Sequence, residues 1–324
     1  MEKIGTSTKF STNPERVERI GIVTDEAADL PREIIEKYKI AIVPVKLDWP
    51  ELEILPGENT FQKMRELEKG GIKSFGKTSQ PSPKDFLDKY NYQLERFDKI
   101  ICVTITSKLS GTFNSAIQAK TFLTPEDQKR VFIIDSLNAS GGQALIVLKA
   151  IDLIENNKET EKIIEELEKF VPQVLLFLML ESPKWLENSG RISHLVASVL
   201  RRMAQAGIRP LLAFKKGSLV PAGLKADAKD IPTVLFKQFE SKTRELRKEG
   251  KRLRAVITHG DDPEGAQRLK EMIDTSTSSA STLSDNRRVE NEFKNTEVAF
   301  LNIINNIVGA VTGPNTLVLA WCEI

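Results

Sequence analysis

Residues Lys99–Thr106 read KIICVTIT, and Ser107–Thr112, which follow, read SKLSGT. The first stretch is apolar, β-branched and free of polar alternation, as a strand buried on both faces requires. The second is small and hydroxyl-bearing, and it opens an amphipathic helix over Phe113–Thr121. Strand, hydroxyl loop and helix in that order are the unit of a parallel sheet with helices on both faces. The unit recurs on either side. Upstream, Ile20–Asp25 (IGIVTD) leads into a helix with Pro31 in its first turn and Leu30, Ile34, Ile35 and Tyr38 at helical spacing. Ile40–Leu47 is a further β-branched run, and the helix Phe61–Lys69 ends at Gly70-Gly71. Thr78-Ser79-Gln80-Pro81-Ser82-Pro83 opens the helix Lys84–Glu95. Downstream, the strand Val131–Asp135 passes through Ser136–Gly142 into the helix Gln143–Glu155. Residues 19–160 are therefore expected to form an α/β layered domain with a largely parallel sheet, preceded by a polar leader at 1–18.

Residues 161–324 carry a different pattern. A helix over Thr160–Phe170 precedes the strand-like Gln173–Met179. Helical stretches follow at Lys184–Leu186 and Ile192–Ala206, and Arg209–Phe214 and Ser218–Leu224 flank Lys216-Gly217 as a β-hairpin. Helices at Asp230–Lys248 and Pro263–Ile273 alternate with strands at Arg254–Thr258, Thr296–Ile303 and Thr316–Trp321. This half is expected to be an α+β domain. Thr275–Ser284 is almost wholly Ser, Thr and Ala and reads as a surface loop.

Composition removes several functions. Lys and Arg number 47 against 45 Asp and Glu, a net charge of +2, so no basic excess attracts nucleic acid. The two cysteines, Cys102 and Cys322, cannot build a disulfide framework, and the two histidines, His194 and His259, leave no metal centre to expect. The longest apolar run, Val174–Leu180, is far short of the ~20 residues of a membrane span. Met1–Arg19 lacks the apolar core of a secretory signal, so a cytoplasmic location is expected. No phosphate-binding Gly-x-x-x-x-Gly-Lys-Ser/Thr loop and no Gly-x-Ser-x-Gly elbow occurs, and no cofactor is expected.

The informative features are the two hydroxyl-rich loops, at Thr78–Ser82 and Ser110–Thr112. Each sits at the carboxyl edge of the sheet ahead of a helix, where backbone donors and the helix dipole favour an anion. The plainer reading is that these residues only cap helices. Ser110 also admits a nucleophile, with Asp25 or Asp135 as its base, in a hydrolase or acyltransferase. A phosphate or nucleotide sensor on the same edge is a third reading. The run Val174–Leu180 suits either a core strand or the wall of a lipid tunnel, as do Val196, Val199, Leu200, Met203 and Phe214. Arg191 is either a surface residue of a Gly-Arg turn or an electrostatic partner for a ligand. Arg201, Arg202 and Arg209 are either a solvated face or a docking patch. His259-Gly260-Asp261-Asp262 fits a loop and helix cap better than a metal site.

Taken in order, eight short motifs resemble the DegV family of bacterial fatty-acid-binding proteins, which includes the acyl-carrying subunits of fatty acid kinase. They are Ile22–Asp25, Val43–Val45, Thr78–Ser82, Ser107–Thr112, Ile134–Ser136, Gly190–Ser193, Arg209–Leu212 and Thr312–Pro314. The resemblance implies a two-domain DegV-like fold and a non-enzymatic carrier of a long-chain fatty acid. The acyl tail would lie in the second domain, and the carboxyl group on Thr78 and Ser110 beside the backbone of Ser79 and Gly111. It further implies presentation of the acid to a kinase in phospholipid synthesis, with no nucleic acid and no stable membrane insertion. Three departures stand out. Val311 replaces the histidine that the family places near the ligand carboxyl group, with Asn315 in place of a glycine in the same motif. The first-strand Asp-Ser becomes Asp25-Glu26. The basic Lys-x-Arg-Thr motif associated with the kinase falls at Lys225-Ala226-Asp227-Ala228. Arg191 is retained.

Overall fold

A computed structural model describes residues 18–71, 74–192, 194–206, 208–225, 230–278 and 295–324. In chain order it contains β1 (Ile20–Asp25), a 3-10 turn (Glu26–Ala28), α1 (Arg32–Lys37), β2 (Ala41–Val43), β3 (Lys46–Asp48), α2 (Pro50–Glu53), α3 (Thr60–Lys69) and β4 (Lys77–Ser79). Then come α4 (Pro83–Leu94), β5 (Lys99–Thr104), α5 (Thr112–Thr121), α6 (Pro125–Gln128), β6 (Val131–Asp135), α7 (Ser140–Glu155) and α8 (Thr160–Phe170). The remainder is β7 (Leu175–Met179), α9 (Lys184–Asn188), α10 (His194–Gln205), β8 (Arg209–Lys215), β9 (Ser218–Lys225), α11 (Ile231–Lys248), β10 (Leu253–His259), α12 (Pro263–Ser278), β11 (Thr296–Ile303), α13 (Asn306–Thr312) and β12 (Leu317–Glu323).

Strands β2-β1-β5-β6 form a parallel sheet, with Ile22 opposite Ile101 and Cys102 opposite Ile133. One of its faces packs on α4 and α5, where Val23, Val43, Ile100 and Cys102 meet Phe86, Tyr90 and Ala116. The other face, with Ile22, Ile101 and Val103, packs on α7. A second, mixed sheet has the order β11-β10-β12-β7-β8-β9. Its inner face also packs on α7, through Leu176, Leu178, Val256, Val318 and Ala320. Its outer face is covered by α11 and α12, and there Trp321 stacks on Phe177 at 5.2 Å and meets the edge of Phe239 at 5.3 Å. Thus α7 lies between the two sheets. It is apolar over most of its surface; Asp152 pairs with Arg254 at 2.6 Å, and Lys149 lies over the Phe170 ring.

The strand-like run Val174–Leu180 is divided by β alternation. Leu176 and Leu178 point to the inner core, Phe177 and Met179 to the outer one. Three expectations are corrected. Ile40–Leu47 is not one strand: it breaks at Pro44, which has no N–H for a ladder, so Ala41–Val43 joins the parallel sheet and Lys46–Asp48 pairs with Lys77–Ser79. Thr275–Ser278 is not loop but the last turn of α12, and 279–284 lie outside the described residues. Helix α7 begins at Ser140 rather than Gln143.

Because Ile146 of α7 is fully buried in the shared core, Ile146→Ala is expected to cost about 2–5 kcal/mol. Chemical denaturation reads this as a lower midpoint at unchanged slope; an unmoved midpoint would refute the sandwiched placement of α7.

Candidate functional site

The carboxyl ends of β1 and β5 and the first turn of α7 face the inner side of the second sheet across a cavity. The centre of a water-sized sphere can move through about 90 Å³ of it, and it opens to solvent at one mouth. Most of its wall is apolar: Ile105 and Leu109 from the first sheet's edge, Leu176, Leu178 and Val318 from the second sheet, and Phe214 and Leu219 from the β8–β9 hairpin. Val308 and Val311 of α13 complete it. Of the apolar residues proposed from sequence, Leu176, Leu178 and Phe214 reach the cavity, whereas Leu200 and Met203 are buried in the core and Val199 is exposed.

Thr78, Ser79, Ser110, Arg191 and Val311 all line this cavity. Thr78 and Ser79 stand on β4, opposite Leu47 and Lys46. The helix that follows them is closed to an anion: Ser82 and Asp85 form a reciprocal capping box at the N-terminus of α4. The anion-site reading of that helix end is therefore corrected, and the cap reading holds for Ser82. Ser110 differs. Its Oγ lies 2.7 Å from Thr112 Oγ1 and accepts the Thr112 N–H at 3.3 Å, ahead of α5, whose N-cap Gly111 supplies no side chain. Gly111 itself packs under Gln80. A Cβ at Gly111 would fall 1.7 Å from Gln80 Oε1, and the Gln80 amide is held by donating to Ser115 Oγ at 2.9 Å. Glycine at this position lets the Thr78 segment and the Ser110 loop approach each other.

Arg191 crosses from the second half of the chain to the first. One of its Nη atoms donates to Thr78 Oγ1, and the other donates to the Ser189 carbonyl at 3.2 Å. Both partners are neutral, and no ion pair to Arg191 occurs among the described residues. Burial pushes its pKa down, because nothing offsets the lost hydration. A half-buried guanidinium without a counter-ion on an apolar wall is a site prepared for an anion. Val311 contributes only methyl groups. Asn315 adopts φ +53, a left-handed conformation that asparagine tolerates, which explains how it replaces glycine there.

The proposed bases do not serve Ser110. Asp25 accepts from the Ile105 and Ala27 N–H groups at 2.8 and 3.0 Å, and Asp135 accepts from Ser107 and Leu137. His259 Nδ1 accepts the Asp262 N–H at 3.1 Å, and Asp262 in turn accepts from Gly265 at 2.9 Å, the expected loop and cap of α12. Arg201 lies 3.7 Å from Glu187, and Arg202 is exposed. Ser193, the side chain of His194 and Ala226-Asp227-Ala228 lie outside the described residues.

Sequence reasoning missed a polar cluster behind the cavity. Asp29 accepts from Ser140 Oγ, from the Asn305 N–H at 2.8 Å and from Asn305 Nδ2; Ser140 Oγ is 2.7 Å from Thr258 Oγ1. Its one sequence signal was a second acid four residues after Asp25, in the turn that leaves β1. Burial pushes Asp25 up to about 6 and Asp29 up to about 7, against the hydrogen bonds that favour the ionised forms.

Residues 19–323 match the DegV family. The chain belongs to the DegV family. A fatty acid-binding protein of Thermotoga maritima is 30% identical over 262 residues, 78% of this chain and 85% of that protein. A DegV domain-containing protein of Clostridium acetobutylicum is 35% identical over 211 residues, 63% of this chain and 71% of that protein. Among solved structures, the DegV-family protein of Thermus thermophilus, described as fatty acid-binding, superposes with a TM-score of 0.75 at 25% identity, covering 94% of this chain and all of that one (100%). The mixed α/β architecture with a parallel sheet and a separate mixed sheet is thus the DegV fold. No helix among the described residues is long and apolar enough to cross a membrane.

In this DegV-family protein the raised pKa values of Asp25 and Asp29 make a contribution to stability that favours mild acid. The folded state holds protons that the unfolded chain releases near 3.8, so the stability due to Asp25 and Asp29 is full below about pH 4 and is lost as pH rises through about 6 and 7. Asp29→Asn mimics the protonated form and tolerates φ +51. At pH 8 it is expected to exceed the wild type by a few kcal/mol, at about 1.4 kcal/mol per pH unit between folded and unfolded titration, with a smaller gain at pH 5. Denaturation at both pH values checks this; a variant less stable at pH 8 would contradict it.

Proposed function

We propose that this protein is a non-enzymatic carrier of one long-chain fatty acid. The observation that carries the reading is Arg191: a half-buried cation with no counter-ion among the described residues, bonded to Thr78, on the wall of a mostly apolar cavity. A ligand matching that wall has one anionic head and a long apolar body. Thr78 and Ser110 hydroxyls and the Arg191 guanidinium hold the carboxylate, with the backbone of Ser79 and Gly111 beside them. Leu176, Leu178, Phe214, Leu219 and Val318 receive the tail, each buried methylene contributing about 0.8 kcal/mol. Residues 19–160 thus supply the hydroxyls of the head site, and residues 161–324 supply most of the tail wall together with Arg191 and Val311. Support comes from the fatty acid-binding Thermotoga relative and the Thermus structure. A nucleophilic Ser110 has little support, because Ser110 bonds to Thr112 and to no base.

Thr78→Val and Ser110→Ala are each expected to weaken palmitate binding by about 0.5–1.5 kcal/mol, and Arg191→Met by about 1.5–3 kcal/mol, because its hydrogen bond is to a charged group. Displacement of a fluorescent fatty acid measures these losses. Lipids extracted from the purified protein and weighed by mass spectrometry should contain the intact acid. Unchanged affinity in the Thr78→Val, Ser110→Ala double variant would sink the head-group assignment.

We place the cargo upstream of an acyl-activating kinase in phospholipid synthesis, in the cytoplasm. Asp227 stands where the family's basic motif falls, and like charge at an interface costs affinity and slows association. Handover to a kinase adapted to the basic motif is therefore expected to be weak. Asp227→Arg should raise acyl phosphate formation with purified kinase and ATP while leaving fatty acid affinity alone. Efficient turnover by the wild type would reverse this expectation.

A further inference from the structure

The cluster behind the cavity wall is not needed to hold a fatty acid head, and its construction is unusual. Asp29 is 4% exposed and takes φ +51, closing the 3-10 turn that follows β1. Its hydrogen-bond partners are neutral: Oδ2 accepts from Ser140, and Oδ1 accepts from the main-chain N–H and side-chain amide of Asn305. No ion pair to Asp29 occurs among the described residues. Ser140 is itself a wall residue of the cavity, as are Ala27, two residues before Asp29, and Ile307, two after Asn305. The carboxylate therefore lies one hydroxyl behind the surface that the ligand would cover.

The other charged groups near Asp29 can be named. Asp25, before the same turn, is buried and of like sign. The Glu26 side chain accepts the Val45 N–H at 2.7 Å. His259 ends β10 next to Thr258, with Nδ1 engaged by the Asp262 N–H, and Asp261 and Asp262 lie beyond it. The first turn of α7 and the first and last turns of α13 carry no charge.

We infer that fatty acid binding by this protein is coupled to uptake of a proton at Asp29, relayed from the cavity wall by Ser140. The inference rests on the fatty acid reading above. Ser140 lines the cavity although it is only 3% exposed, and water in the empty cavity would support the ionised carboxylate behind it. Hydrocarbon in the same space removes that support and favours the neutral acid. The cluster takes the proton without moving a heavy atom. One proton from solvent bonds to Asp29 Oδ2, which then donates to Ser140 Oγ; the Ser140 hydrogen turns to Thr258 Oγ1, the Thr258 hydrogen turns away from Ser140, and both Asn305 donors stay on Oδ1. The O–H bond at Asp29 is the one covalent bond formed. Asp29 titrates near neutrality, at about 7, so a modest further rise on binding converts an ionised fraction to the acid.

Calorimetric titration of the full chain with palmitate, at pH 7 in two buffers of different ionisation enthalpy, counts the proton directly. The wild type is expected to take up a fraction of a proton that Asp29→Asn does not. Wild-type affinity should fall as pH rises from about 6 to about 8, by at most about tenfold per pH unit for one linked proton, with the slope reduced in Asp29→Asn. The palmitate carboxyl group's own titration is common to both proteins and cancels in the comparison. An equal proton count and equal slope in the variant overturn the inference. If Asp29→Asn does not fold, infrared difference spectra of the wild type with carboxyl-labelled carbon-13 palmitate decide the matter. Growth of an unlabelled protonated-carboxyl band on binding supports the inference, and a flat spectrum overturns it. Failure of the wild type to bind palmitate at any pH sinks the carrier reading and this inference together, whereas binding without the Asp29-dependent proton sinks the inference alone.

Discussion

Helix α7 buries nearly all of its surface, leaving only Lys149, Asp152 and Glu155 as charged positions, and most of the molecule follows from that. Of its residues, Leu145, Ile146, Val147, Ala150 and Ile151 are all buried, so one sheet cannot satisfy it. The parallel sheet covers one side and the mixed sheet the other, and one continuous hydrophobic cluster runs through both. The helix sets the gap between the sheets by its side-chain volume. At its N-terminal end that volume disappears: Ala139, Ser140, Gly141 and Gly142 are small, and a Cβ at Gly141 would already press on Val256 at 2.8 Å. Where the helix thins, the sheets do not close fully, and the cavity opens beside Ala139 and Ser140. The binding space is thus a consequence of the residue sizes along one helix.

Much of this was legible in the sequence because the signals were local. The runs Ile20–Asp25 and Val131–Asp135 were bounded by polar turns and became β1 and β6 with those ends. The hairpin about Lys216-Gly217 was marked by its turn residues, and Gly217 has the positive φ, +81, that the turn needs. The errors arose where tertiary contacts outweighed local pattern. Ile40–Leu47 looks continuous until one knows that Lys46 pairs with Ser79, thirty-three residues on. The Thr78 loop looked like a helix-end anion site because sequence alone does not show that Ser82 and Asp85 already occupy the donors of α4.

The site was legible in part, for the same reason. Thr78, Ser79 and Ser110 were marked by hydroxyl-rich segments at a sheet edge, and all three line the cavity. Arg191 was ambiguous in sequence, since a guanidinium after glycine suits any surface turn. Its meaning lies in the contact with Thr78, 113 residues away, and in the lack of a counter-ion among the described residues. Asp29 and Asn305 are 276 residues apart and had no pattern to connect them. Long-range polar pairs of this kind are invisible to periodicity, which reports only which face of an element is buried.

The two charges on this cavity give it a direction. Arg191 presents a cation at Thr78, and Asp29 places a buried acid behind Ser140. In the proposed complex a carboxylate gains by facing the first and loses by facing the second, and low polarisability between them strengthens both effects. An apolar tail lying against Ser140 meets no charge once Asp29 is protonated, and a buried carboxylate with only neutral partners gains from that change. Val311 carries no titrating group, so the groups beside the cavity that change charge near neutral pH are Asp29, pushed up to about 7, and Asp25, pushed up to about 6.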